Sequence, residues 1–296
     1  MNEELLRDFE SVGWAYGPFW NPSVLMSDEW ESVKWLLSDY LNERLGGFKS
    51  FRDAGVQVAE QFQAEGVPVS HPGLPQLFWR RYVQRLEGRA KGVNAKCSPA
   101  APKGTVHQGA TVQSRSIIEI AAEVDQPLFT YMRDRLHEGR TVQLYEMLLG
   151  INGVAEKIAS FTLRDVVLGS GLNVSRNRYL LQPIDVWVGR CAQIALDSGR
   201  PPRARKREDI QRAIVEGCQR AGVDPERANV GMWYFGALIA GQESVLQLAT
   251  ENRDLFRSMV EMHYRQSENA ALQYDAIGAS WKTRCPEIQR SLPRIS

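Results

Sequence analysis

Apolar residues recur three and four positions apart along nearly the whole chain, and nowhere do several short segments alternate apolar and polar residues as a sheet would require. That period predicts an all-α protein. Helices are expected near 3–12, 28–45, 50–64, 75–90, 115–123, 127–137, 141–149, 155–169, 184–197, 207–221, 226–240 and 244–264. Local signals mark several starts: Ser27 or Asp28 ahead of Trp30, Ser116 three residues before Glu119, and Pro127 and Pro225 as first-turn prolines. Residues 91–114, rich in Gly, Pro, Ser and Lys, read as a long loop, and 169–182 as a shorter polar one. At 296 residues the chain can form one large domain or two lobes.

Several classes of protein are excluded at this level. No apolar run approaches the roughly 20 residues of a membrane span, and the acidic start Met1–Glu10 has neither part of a secretory signal, so a cytoplasmic protein is expected. Cys97, Cys191, Cys218 and Cys285 form no close pair, which argues against a disulfide framework, a zinc ribbon or an iron–sulfur loop. His71, His107, His137 and His263 lack ligand spacing, so neither a metal nor another cofactor is expected. The net charge is only +1, but it is unevenly spread. Arg80, Arg81, Arg85, Arg89, Lys91, Lys96 and Lys103 face the single acid Glu87, and Arg200, Arg203, Arg205, Lys206 and Arg207 form a second basic cluster. Such clusters either track a phosphate backbone or are solvated helix faces and loops.

The stretch that carries chemistry begins at Leu144. A helix ends at Gly150, the chain turns through Ile151–Ala155, and a second helix follows with Val154, Ile158 and Phe161 on its inner face. A turn at a helix N-terminus presents backbone N–H groups and the positive end of the helix dipole, which suits a phosphate; Asn152, Gly153, Val154 and Ala155 are the candidate contacts. Gly153 permits a close backbone approach. An ordinary helix–turn–helix pair is the alternative. Further on, Leu181-Gln182-Pro183-Ile184-Asp185-Val186-Trp187-Val188-Gly189-Arg190 opens another helix, with Asp185 either a capping carboxylate or a catalyst and Lys157 either a surface lysine or a nucleophile.

Taken together these segments resemble the helix-hairpin-helix DNA glycosylase superfamily, which includes endonuclease-III-type and 8-oxoguanine enzymes. Leu148-Leu149-Gly150-Ile151-Asn152-Gly153-Val154-Ala155-Glu156-Lys157-Ile158-Ala159 is similar to that family's hairpin, and Ile184-Asp185-Val186-Trp187-Val188-Gly189-Arg190 to its aspartate helix. Trp233-Tyr234-Phe235-Gly236 is a weaker echo of the segment that ends the family core. The similarity covers 144–197 and, faintly, 228–240. Asn152 stands where the family has proline, Ala155 where it has a second glycine and Trp187 where it has histidine; the interval from Lys157 to Asp185 is also longer, and the cysteine loop of the iron–sulfur members is missing.

The resemblance implies a two-lobed helical fold, one lobe spanning 27–172 and ending in the hairpin motif at 141–169, the other built from 1–26 and 173–296 around the catalytic aspartate, with the DNA cleft between them. It implies Asp185 as the carboxylate that stabilises the developing oxocarbenium ion, Lys157 at the position of the Schiff-base nucleophile, and Trp187 and Trp233 as possible parts of a nucleotide pocket. The expected partner is duplex DNA carrying a damaged or modified base; no obligate protein partner is implied. An oxidised purine such as 8-oxoguanine is the first substrate expected, with a modified cytosine of foreign DNA as the alternative. A non-catalytic DNA-binding module and a protein-interaction scaffold are the readings outside the enzyme class.

Overall fold

The computed structural model describes residues 2–16, 22–44, 49–86, 95, 98–107, 109–197 and 206–274, and the described chain is all-helical. In order the helices are α1 (Glu3–Tyr16), α2 (Pro22–Ser27), α3 (Glu29–Arg44), α4 (Lys49–Ala64), α5 (Leu74–Leu86), α6 (Ile117–Glu123), α7 (Leu128–His137), α8 (Thr141–Leu149), α9 (Glu156–Ser170), α10 (Val186–Asp197), α11 (Arg207–Ala221), α12 (Pro225–Tyr234), α13 (Glu243–Glu251) and α14 (Arg253–Tyr274). Between them lie a minimal hairpin of β1 (Val106–His107) and β2 (Ala110–Thr111), a 3₁₀ turn at Arg178–Leu181, and a π-helical segment, Phe235–Ala240, that continues α12.

Three details depart from the sequence expectation. The six-residue α2 is too short for a period to register. The helix expected over 244–264 is two helices, because Asn252 is extended (φ −127°, ψ 100°) and its Oδ1 accepts from the Leu255 N–H at 3.1 Å, capping α14. Pro127 is the N-cap of α7 rather than part of its first turn. The end of the helix expected at 75–90 lies outside the described residues beyond Leu86.

The chain divides into two compact units, Trp20–Leu181 and Met1–Phe19 with Gln182–Ser296. In the continuous unit, α9 is buried on nearly every side. Ile158, Ala159, Leu163, Val166 and Val167 join the apolar core, yet Arg164 and Asp165 are buried with them. These two neutralise one another: Asp165 Oδ1 accepts from Arg164 Nε at 2.9 Å and from its terminal nitrogen at 2.8 Å, and the guanidinium lies 4.5 Å from the Phe161 ring centre. Three helix starts in this unit are secured by side chains. Asp28 caps α3 through Glu31 N–H, and Ser116 and Glu119 form a reciprocal capping box on α6. Pro127 has no side-chain oxygen to cap α7, so the buried Ser32 hydroxyl, carried by α3, accepts the Phe129 N–H at 2.7 Å instead.

The second unit brings the first helix of the chain against helices near its other end. α1 and α12 cross so closely that a Cβ placed on Gly231 would lie 1.7 Å from the Phe9 carbonyl oxygen, and one on Gly13 1.9 Å from that of Arg227. Only glycine at both positions allows the backbones to meet. Around the crossing, Phe9 packs edge-on to Phe235 and Phe256, whose rings stack at 3.9 Å, while Glu10 accepts the Asp224 N–H at 2.8 Å. Asp224 in turn caps α12 through Glu226 and Arg227 N–H, with Pro225 at its first position.

Candidate functional site

The turn between α8 and α9 is a fixed structure. Ile151 pairs with Arg115, the Arg115 N–H donating to Gly150 O at 3.2 Å and the Asn152 N–H to Arg115 O at 2.7 Å. Gly153 has φ +76°, a conformation that L side chains rarely adopt, and the Val154 N–H closes back on Ile151 O at 3.0 Å. Ala155 starts α9 without a side-chain cap, and its N–H has no acceptor among the described residues. Glu156 and Lys157 form the first turn, Lys157 half-buried.

Asn152 corrects the list of phosphate contacts. It is buried, and its Nδ2 donates to Ala95 O at 2.5 Å and to Ser98 O at 2.8 Å, while its N–H is taken by Arg115. Where the resemblance expects proline, this residue fastens the turn to Ala95 and Ser98. Val154 likewise spends its N–H inside the turn, and Ala155 is exposed at the α9 start. Asn152→Ala is expected to strand the two buried carbonyls and lower stability by about 1–3 kcal/mol in urea unfolding. An unchanged midpoint would mean that water replaces the amide.

Asp185 stands at the start of α10. Its Oδ1 accepts from Trp187 N–H at 2.9 Å and Val188 N–H at 2.8 Å, so it is the helix cap, while Oδ2 has no hydrogen bond among the described residues. Two donated N–H groups and the helix dipole hold the carboxylate in place. Complete burial of the Cys191 thiol, and then the negative charge of Asp185 six residues before it, push that thiol well above the usual cysteine range. Trp187 packs its ring edge against Gly236 of the π segment, where a Cβ would sit 3.0 Å from that of Trp187, and Arg190 lies 5.1 Å from the ring centre while pairing with Glu243. Trp233 is half-buried, edge-on to Tyr234. Both tryptophans therefore pack against the apolar core of their unit.

Gly153, Ala155 and Lys157 thus share the α9 start in one unit, and Asp185, Trp187 and Trp233 belong to the other. What the sequence did not reveal is the support beneath Asp185: Gln182, Gln211, Glu226 and Asn229 are all buried around the segment that leads into it. Among the basic residues, Arg80 is exposed, Arg81 pairs with Glu65 and lies over Phe62, Arg85 bonds Gln57, and Lys206 and Arg207 are exposed at the α11 start. Arg89, Lys91, Lys96, Arg200, Arg203 and Arg205 lie outside the described residues, as do Cys97 and Cys285. Among the described residues no cluster of side chains could hold a metal ion, and no helix is long and apolar enough to cross a membrane. Comparison with protein-family models, curated proteins and solved structures returns no match to this chain.

Proposed function

We propose that this protein is a DNA glycosylase of the helix-hairpin-helix kind, which binds duplex DNA through the Ile151–Ala155 turn and cleaves the N-glycosidic bond of a base swung out of the stack. The observation that carries the reading is the Asp185 carboxylate, anchored through one oxygen at a helix start with the other left without a partner among the described residues. A departing base leaves positive charge on the sugar, and a fixed carboxylate in a water-poor site stabilises that charge without having to reorganise. The Ala155 N–H at the α9 start, without an acceptor among the described residues, supports an anion contact there. Lys157 is the proposed nucleophile for a Schiff base at C1′ and subsequent strand cleavage, a step that requires its neutral amine. The substrate proposed first is an oxidised purine such as 8-oxoguanine, and the second a modified cytosine of foreign DNA.

The test is mass spectrometry of free bases released from oxidised, alkylated, deaminated and phage-modified duplexes. Wild type is expected to release one base, and Asp185→Asn to slow that release by about 10²–10³-fold. Asparagine caps helices as well as aspartate, so this variant should fold normally. Capping α10 is also a sufficient structural reason for Asp185, and it favours a non-catalytic DNA-binding module as the second reading; no base from any duplex, together with salt-dependent DNA binding, would establish that module instead.

A further inference from the structure

Three polar side chains, from Gln211, Glu226 and Asn229, converge on the two residues that precede Ile184 and Asp185. Gln182 is fully buried and donates from Nε2 to Glu226 Oε1 at 2.9 Å; Gln211, from α11, donates to the Gln182 carbonyl at 2.8 Å; Asn229, from α12, donates to the Pro183 carbonyl at 3.3 Å. Gln182 Oε1 is buried with no hydrogen bond among the described residues. Ile184 then buries its side chain in the core, and Asp185 follows. Burying this many amides and a carboxylate carries a desolvation cost that an apolar plug would avoid. What a polar network gives in return is geometry: each hydrogen bond holds only at one distance and angle, so the backbone at 182–183 has a single register on α11 and α12.

We infer that Gln182, Gln211, Glu226 and Asn229 are positioning residues for Asp185, setting the height and direction of its carboxylate at the start of α10. None of them needs to touch a substrate; they act through the backbone of Gln182 and Pro183. The role in turnover rests on the reading of Asp185 proposed above, whereas the role in geometry does not, and the two are separable by experiment.

Gln182→Met removes the side-chain bond to Glu226 while keeping the volume, Gln211→Leu removes the anchor on the Gln182 carbonyl, and Glu226→Gln keeps an acceptor for Gln182 and offers an N–H to Gln182 Oε1. In the full chain without DNA, the first two are expected to speed amide exchange at Trp187 and Val188 by about tenfold or more. Glu226→Gln should leave that exchange close to wild type. On whichever base the wild type releases, the first two should lower kcat by about 100-fold at unchanged DNA affinity. If Gln182→Met fails to fold, Gln211→Leu carries the test alone. Unchanged exchange in the folded variants would overturn the inference. Wild type that releases no base would overturn the glycosylase reading, and the exchange data would still decide whether these residues hold Asp185.

Discussion

Alanine at Gly231 is expected to destabilise the unit formed by Met1–Phe19 and Gln182–Ser296 by about 3 kcal/mol or more, the upper end of what overpacking costs. The added Cβ would meet the Phe9 carbonyl oxygen at 1.7 Å and the Gly13 nitrogen at 2.9 Å, and both are backbone atoms that no rotamer change can move aside. α1 and α12 would have to separate, loosening the contacts of Phe9 with Phe235 and Phe256. Thermal unfolding should show the midpoint falling by roughly 6–12 °C. Gly189→Ala is the internal control: its Cβ would meet only Ile184 Cγ2 at 3.9 Å, an ordinary contact, and alanine in a helix interior is favoured over glycine by up to about 1 kcal/mol. A Gly231→Ala variant melting with the wild type would show that the two helices do not cross this closely in solution.

Replacing Asp165 with alanine is expected to cost about 3–5 kcal/mol, because the Arg164 guanidinium would lose its carboxylate partner inside the core of α9. The side chains of Arg164 and Asp165 are only 6% and 1% exposed, so water cannot take over. Arg164→Met combined with Asp165→Leu removes both charges at once and should recover most of the loss, since well-packed apolar residues in place of a buried pair are commonly neutral or stabilising. A double-mutant cycle on urea midpoints separates the coupling from the packing. Additive losses would mean that the pair is held by other partners more strongly than by itself.

Much of this architecture was legible in the sequence because it is local. The 3.6 period gave the helical class, and Asp28, Ser116 and Asp185 each cap the helix that follows within three residues, which is the range over which a cap acts. The π segment at Phe235–Ala240 and the break at Asn252 were hidden, since both sit inside apolar runs that keep helical spacing. Asn152 was misread for a different reason. Beside Gly153 it has the composition of an exposed turn, and only its bonds to carbonyls 57 and 54 residues earlier show that it points inward. The support of Asp185 was equally invisible, with partners 29, 44 and 46 residues apart. Gly13 and Gly231 look like helix-weakening glycines until the other helix is placed against each.

The bond from the Asp224 N–H to Glu10 spans 214 residues, and the α1–α12 crossing depends on chain that is made at least as late. At about 5–20 residues per second, a nascent α1 would wait roughly 10–40 s on the ribosome before its partner helix was synthesised. Over that interval Leu5, Leu6, Phe9 and Val12, all buried in the finished unit, form an unshielded apolar stripe. The acidic residues Glu3, Glu4, Asp8 and Glu10 between them put like charge on the same segment, which disfavours its self-association while it waits.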